Sequence, residues 1–305
     1  MAKCLSFHAA YQCRRSGACC SAGWTIPFDP AELRVVTALN PAPGSVRRTA
    51  TGATAVMTGG RCSFLMHDAD GRHACGIHRA GGHAALPLTC RMFPRIVLHD
   101  PRGTFITLSH FCPTAAALLF EAADDVTIVE APPSLAGSAP LDGLDARDVW
   151  PPLLRPGVMM DLDSYDLWER FAVAILTHDG VPARVALDAL DRETAAITAW
   201  TPGSERTLEQ TIRDAIVRLP VPSAPLSSVE CGIKRWLAAR AFGTWIAYQG
   251  DGLRTIVRYL HSCLNAFEVE LARDNQPLEA IRRADQLIVH ESSSQQLATL
   301  LNVSS

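Results

Sequence analysis

The sequence predicts a mainly α chain with small β elements: a loop-rich, metal-stapled N-terminal part carrying a short hairpin, followed by an α-helical C-terminal part. Three observations predict it. Eight of the ten cysteines fall within the first 112 residues. The segments around them are rich in Gly, Pro and polar turns and carry only brief strand-like alternation. In the second half, apolar residues recur at three- and four-residue intervals. The expected organisation is a cysteine-rich metal-binding domain over 1–125, a linker or irregular wrap over 126–160, and an α-helical domain over 161–305.

In chain order, residues 24–28 alternate as a brief strand. Asp29-Pro30-Ala31-Glu32 reads as a helix start: Asp29 caps, Pro30 suits the first turn, and Glu32 completes a capping box. Residues 41–60 read as a loop with a short strand at 53–57. Residues 96–98 and 104–108 flank His99-Asp100-Pro101-Arg102-Gly103, the pattern of a hairpin. Pro113 opens an apolar helix running to about residue 123. Further on, Leu167, Phe171, Ala174 and Ile175 share a helical face. Pro182 begins another helix. Leu208, Ile212, Ala215, Ile216 and Leu219 repeat at helical spacing. A long helix is expected around 232–248, ended by Gly250 and Gly252, then one over about 253–273 and one over 278–289.

Apolar residues make up 48% and charged residues 19%, the balance of a folded domain rather than a disordered one. The net charge of −3, with no basic run, gives no electrostatic footprint for nucleic acid. No stretch approaches the 18 or so apolar residues of a membrane span, so no membrane partner is expected. The first residues lack the apolar core of a signal peptide, so a cytoplasmic protein is expected. Thiols stay reduced there, and a dense cysteine pattern then points to metal rather than to disulfides.

The candidate ligands are Cys13, Cys19, Cys20, Cys62, Cys75, Cys90 and Cys112. Thiolates are soft ligands that select zinc, copper(I) or iron–sulfur clusters. Seven exceed the four or so that one site takes. Either two sites exist or some thiols only pack. Cys19 and Cys20, being adjacent, are expected to point in different directions. Cys112 precedes Pro113 at a helix N-terminus, where a thiolate is favoured. Cys75-Gly-Ile-His78 resembles half of a zinc site and makes His78 a candidate ligand. His67, His73 and His83 lie in the same stretch and read as solvated loop histidines. Cys231 and Cys263 sit in apolar helical contexts and read as packing residues, and Cys4 is left aside. The all-sulfur bias favours an iron–sulfur cluster, [4Fe–4S] in type, over zinc. No residue is assigned a catalytic or S-adenosylmethionine-binding role.

Taken together, Cys13…Cys19-Cys20…Gly23-Trp24, Cys62-Ser-Phe-Leu, Cys75-Gly-Ile-His78, Pro87…Cys90-Arg91-Met-Phe93-Pro94-Arg95 and Leu108-Ser109…Cys112-Pro113 resemble the YkgJ-type cysteine-cluster proteins. Within them the pattern is most similar to the flagellin lysine-N-methylase (FliB-like) group. The resemblance covers about residues 11–120. It implies iron or zinc held by the seven cysteines, and methyl transfer from S-adenosylmethionine to lysines of a flagellin-like protein partner. Arg91 and Arg95, flanking Cys90, would neutralise a cluster or bind a carboxylate. The alternative reading is a non-catalytic zinc- or iron-binding module that docks a partner protein.

Overall fold

The computed structural model describes residues 1–50, 52–67, 73–121, 125–137, 141–216, 222, 225–248 and 250–291. The chain folds as two compact units. Residues 1–11, 96–111 and 115–305 form the larger; residues 12–95 and 112–114 form the smaller.

The larger unit joins a small sheet to a set of helices. Its strands lie in the order Ile128–Glu130, Ala2–Leu5, Gly103–Leu108, Arg95–Asp100, Leu144–Asp145. The expected hairpin is present, with Pro101 and Arg102 at its turn. Asp100 holds that turn by accepting the Arg102 backbone N–H at 2.8 Å and its guanidinium at 2.7 Å. The same guanidinium lies 4.5 Å from the ring centres of both Phe105 and Tyr165 and reaches Glu169 at 3.0 Å. The turn is thereby fastened to helix Leu162–Thr177. The strand Ala2–Leu5 was not expected. It runs parallel to Gly103–Leu108, pairing Ala2 with Thr104 and Cys4 with Ile106. Its pairing partner lies a hundred residues away, so no local turn signal announces it.

The helices are Pro113–Glu121, Leu162–Thr177, Ala183–Thr198, Leu208–Ile216, Ser228–Ala241, Leu253–Asp274 and Pro277–Asp285. They bury Trp168, Phe171, Trp236 and Phe267 in one core. The buried face of Leu162–Thr177 runs through Trp168, Phe171, Ala172 and Ile175, whereas Ala174 is exposed; the expected face was displaced by one position. Residues 122–123 of the expected helix from Pro113, and Leu219, lie outside the described residues. The helix expected over 232–248 stops at Ala241. Gly243 takes φ +57°, a Cβ there would stand 2.8 Å from the Phe105 Cβ, and its N–H donates to Glu169 at 2.9 Å. The chain leaves the helix at Phe242 (φ −74°, ψ 131°), and the left-handed conformation and close approach at the next position suit only glycine. No helix among the described residues is long and apolar enough to cross a membrane.

The smaller unit is built of short pieces. A three-stranded sheet has the order Pro27–Phe28, Gly52–Ala55, Val46–Thr49, and two hairpins pair Met57–Thr58 with Arg61–Cys62 and Leu65–His67 with His73–Cys75. Helix Pro30–Ala38 begins with the expected capping box: the Asp29 carboxylate accepts the Ala31 and Glu32 N–H groups at 2.7 Å, and Glu32 accepts the Asp29 N–H at 3.0 Å. Ile26, Phe28, Val36, Phe64, Ile77 and Leu86 form a modest core that also includes Cys20 and Cys62. So small a core supplies little burial energy for over eighty residues.

Candidate metal centre

Each cysteine of the smaller unit is positioned by its own short element. Gly17, at φ +74°, turns the chain into the 3-10 helix Ala18–Cys20, closed by the Cys20 N–H donating to the Gly17 carbonyl at 2.9 Å. That tight turn brings the Cys19 and Cys20 sulfurs to 3.9 Å. Cys62 ends a two-residue strand opposite Met57. Cys75 ends a strand opposite Leu65 and caps helix Gly76–Gly81, where the Ile77 and His78 N–H groups face its sulfur. Cys90 lies in helix Leu88–Met92, whose first N–H donates to Glu32 at 2.6 Å. Glu32 thus serves both its own capping box and the segment bearing Cys90.

The Cys20 sulfur stands 3.9 Å from that of Cys19 and lies near enough to Cys62 and Cys75 to act on their protons. Its S–H lowers the pKa of all three, most plainly for Cys75, which is brought down to about 6 by Cys20, outweighing burial, with help from the neighbouring backbone N–H groups. Cys20 itself is pushed far up by holding the shared proton. Burial and the neighbouring thiolates push Cys90 up. One S–H serves one acceptor at a time, so the sulfurs titrate as a single coupled acid. Cys20 and Cys62 are 2% and 6% exposed, so this acid sits away from bulk water.

The other expected ligands are placed as follows. Cys13 is exposed. Cys112 is buried, in the smaller unit, just before helix Pro113–Glu121. His78 lies in the helix that follows Cys75, and its ring stands edge-on to His83 with centres 6.1 Å apart. Arg91 approaches Glu32 at 3.5 Å, and Arg95 donates to the Arg91 carbonyl at 3.0 Å. Cys4 and Cys263 are fully buried in the larger unit, their thiols pushed up to about 11 and about 12 by burial, as packing residues would be. Among the described residues, no group of three or more His, Cys, Asp or Glu side chains is arranged so that it could hold a metal ion. The donors assembled at Cys20 are all sulfur, the chemistry of a thiophilic metal or cluster.

The larger unit holds a buried polar network that the sequence did not announce. Asp285 accepts the Ser109 hydroxyl at 3.0 Å, the Phe111 N–H at 3.2 Å and the Trp236 indole N–H at 2.9 Å, and pairs with Arg240 at 3.6 Å. His8 and His110 face each other at 3.1 Å between their Nε2 atoms, with neither ring exposed. Both lie past the carboxyl ends of the paired parallel strands, His8 in the short helix Ser6–Ala9 and His110 two residues after Leu108. His290 adds its Nε2 to Ser109 at 2.7 Å. Burial with a balanced Asp–Arg pair is the mark of a structural network.

No protein-family model, curated protein or solved structure matches this chain.

Proposed function

We propose that the smaller unit is a thiolate metal centre, with Cys19, Cys20, Cys62 and Cys75 as the principal ligands of an iron–sulfur cluster and Cys90 beside them. The observation that carries the reading is the reach of the Cys20 thiol to three other sulfurs, two of them brought from separate hairpins. Apolar packing does not account for it, because a set of thiols sharing one proton is a poor core but a ready ligand set once deprotonated. Cys13 and Cys112 complete the seven cysteines that the family resemblance implies, and His78 is the further candidate that the Cys75-Gly-Ile-His78 spacing offers.

Bound metal would supply folding energy to a unit whose apolar core is small. An iron–sulfur cluster would also offer electron transfer or Lewis acidity at the site. In this chain the residues' own part is to present soft donors and to shield them from water. For the whole chain the activity proposed is the one the resemblance implies, methyl transfer from S-adenosylmethionine to a lysine of a protein substrate, in the cytoplasm.

Anaerobic purification followed by metal and sulfide analysis and an absorption spectrum tests the centre. Iron and sulfide in a brown protein are expected; a colourless protein with stoichiometric zinc would overturn the cluster, and one without metal the centre itself. Incubating the loaded protein with S-adenosylmethionine and a lysine-bearing flagellin tests the activity. A mass gain of one methyl group is expected. Its absence with the cluster intact would leave a non-catalytic metal module that binds a partner.

A further inference from the structure

We propose that His67 and His73 form a second, nitrogen-donor site for a divalent transition-metal ion, on the same face of its hairpin as Cys75 and two residues along the strand from it. The two residues are directly opposite one another in the hairpin Leu65–His67/His73–Cys75. Side chains alternate along a strand, so a register pair projects from the same face of the ribbon. The two ring centres are 4.7 Å apart with planes inclined at 55°. Opposed Cβ atoms about 5 Å apart let two imidazoles converge on one ion without backbone movement.

Three further features support a ligand over a bare ring contact. His73 Nδ1 is buried and has no hydrogen-bond partner, so packing against His67 leaves this nitrogen unsatisfied. Gly17 lies so close that a Cβ on it would stand 2.6 Å from the His73 Cβ, which fixes His73 in place before any ion arrives. His67 is exposed, so the site is reachable from solvent. Imidazole suits zinc, nickel and copper. Two protein ligands leave the remaining coordination to water, so binding is weak and exchangeable. Its donors are nitrogen, so the zinc response and the iron content report on the two centres separately.

The test is a zinc titration of the intact protein, as isolated with its own metal content measured beforehand, followed by NMR of isotope-labelled histidine rings. Zinc is expected to shift His67 and His73 together, and His67→Gln is expected to weaken the response of His73 at least tenfold. His83→Gln, at an exposed histidine of the same unit, should leave both responses in place. Millimolar zinc that moves neither ring, or a His67→Gln protein that titrates like the parent, overturns the site. His67 is exposed, so its replacement does not threaten the fold. Iron content, read separately, decides the cysteine centre whatever the zinc titration gives.

Discussion

Cys19 and Cys20 are neighbours in sequence and still bring their sulfurs to 3.9 Å. An extended chain would send adjacent side chains to opposite faces, as expected from the sequence. The 3-10 turn that follows the left-handed Gly17 folds both inward instead. Cys20 then becomes the hub of the group, because it alone reaches the sulfurs of both hairpin cysteines and of Cys19.

Replacing the hub should therefore matter more than replacing an exposed member of the same motif. Cys20→Ser is expected to lose most of the bound metal per chain, whereas Cys13→Ser should retain it, both measured by elemental analysis of anaerobically purified protein. Equal retention by the two variants would remove Cys20 from the centre. Equal loss would place exposed Cys13 among the essential ligands and redraw the set.

What could be read in advance was what local chemistry specifies. The capping box at Asp29 and Glu32 needs four residues, and the hairpin around Pro101 and Arg102 needs a turn between two alternating runs; both are present. The helix that stops at Ala241 was read too long because Gly243, which packs where a Cβ would overlap Phe105, far away in sequence, was passed over for Gly250 and Gly252 as the stop. The strand Ala2–Leu5 and the meeting of His8 with His110 depend on a register between segments a hundred residues apart. The cysteines were visible as a population, but which of them meet is set by two small hairpins and a 3-10 turn. Asp285 carries no local signal at all.

The His8–His110 pair makes a pH prediction. Burial lowers both imidazoles' affinity for protons; His110 and Arg240 lower that of His8 further, and for His110 the nearby Asp285 opposes but does not cancel burial. The unfolded imidazole protonates near pH 6.5, and the folded one only well below. Stability from this source is full above about pH 6.5 and is lost as pH falls through it. By about pH 5.5 a histidine kept neutral in the fold costs about 1.4 kcal/mol. Urea midpoints should fall from pH 7 to 5.5, and His8→Gln should flatten that fall. A variant with an unchanged slope would show that His8 does not carry it.

Asp285 should be among the costliest single replacements in the larger unit. Its carboxylate is fully buried and holds Ser109, Phe111 and Trp236 as well as Arg240. Asp285→Ala leaves the Arg240 guanidinium buried without its counter-charge, a loss of about 3–5 kcal/mol. Arg240 keeps its 2.6 Å bond to the Leu108 carbonyl, which does not neutralise it. A loss below about 1 kcal/mol by urea unfolding would mean that water reaches the site.

Gly232 sets two opposing effects against each other. It lies inside helix Ser228–Ala241, where alanine is worth about 1 kcal/mol more than glycine. A Cβ at this position, however, would stand 2.5 Å from Phe120 Cε1 and 2.7 Å from its Cδ1. Overpacking of this kind costs about 1–3 kcal/mol, and a rigid ring gives way less readily than a flexible chain end. The overlap should win, so Gly232→Ala is expected to lower the urea midpoint. The same change made in a Phe120→Leu background removes the clash and should let helix propensity show as a gain. The coupling between the two sites, read from the four proteins of the cycle, is expected to exceed about 1 kcal/mol. If Gly232→Ala stabilises the protein with Phe120 intact, the ring is not the reason that a glycine stands there.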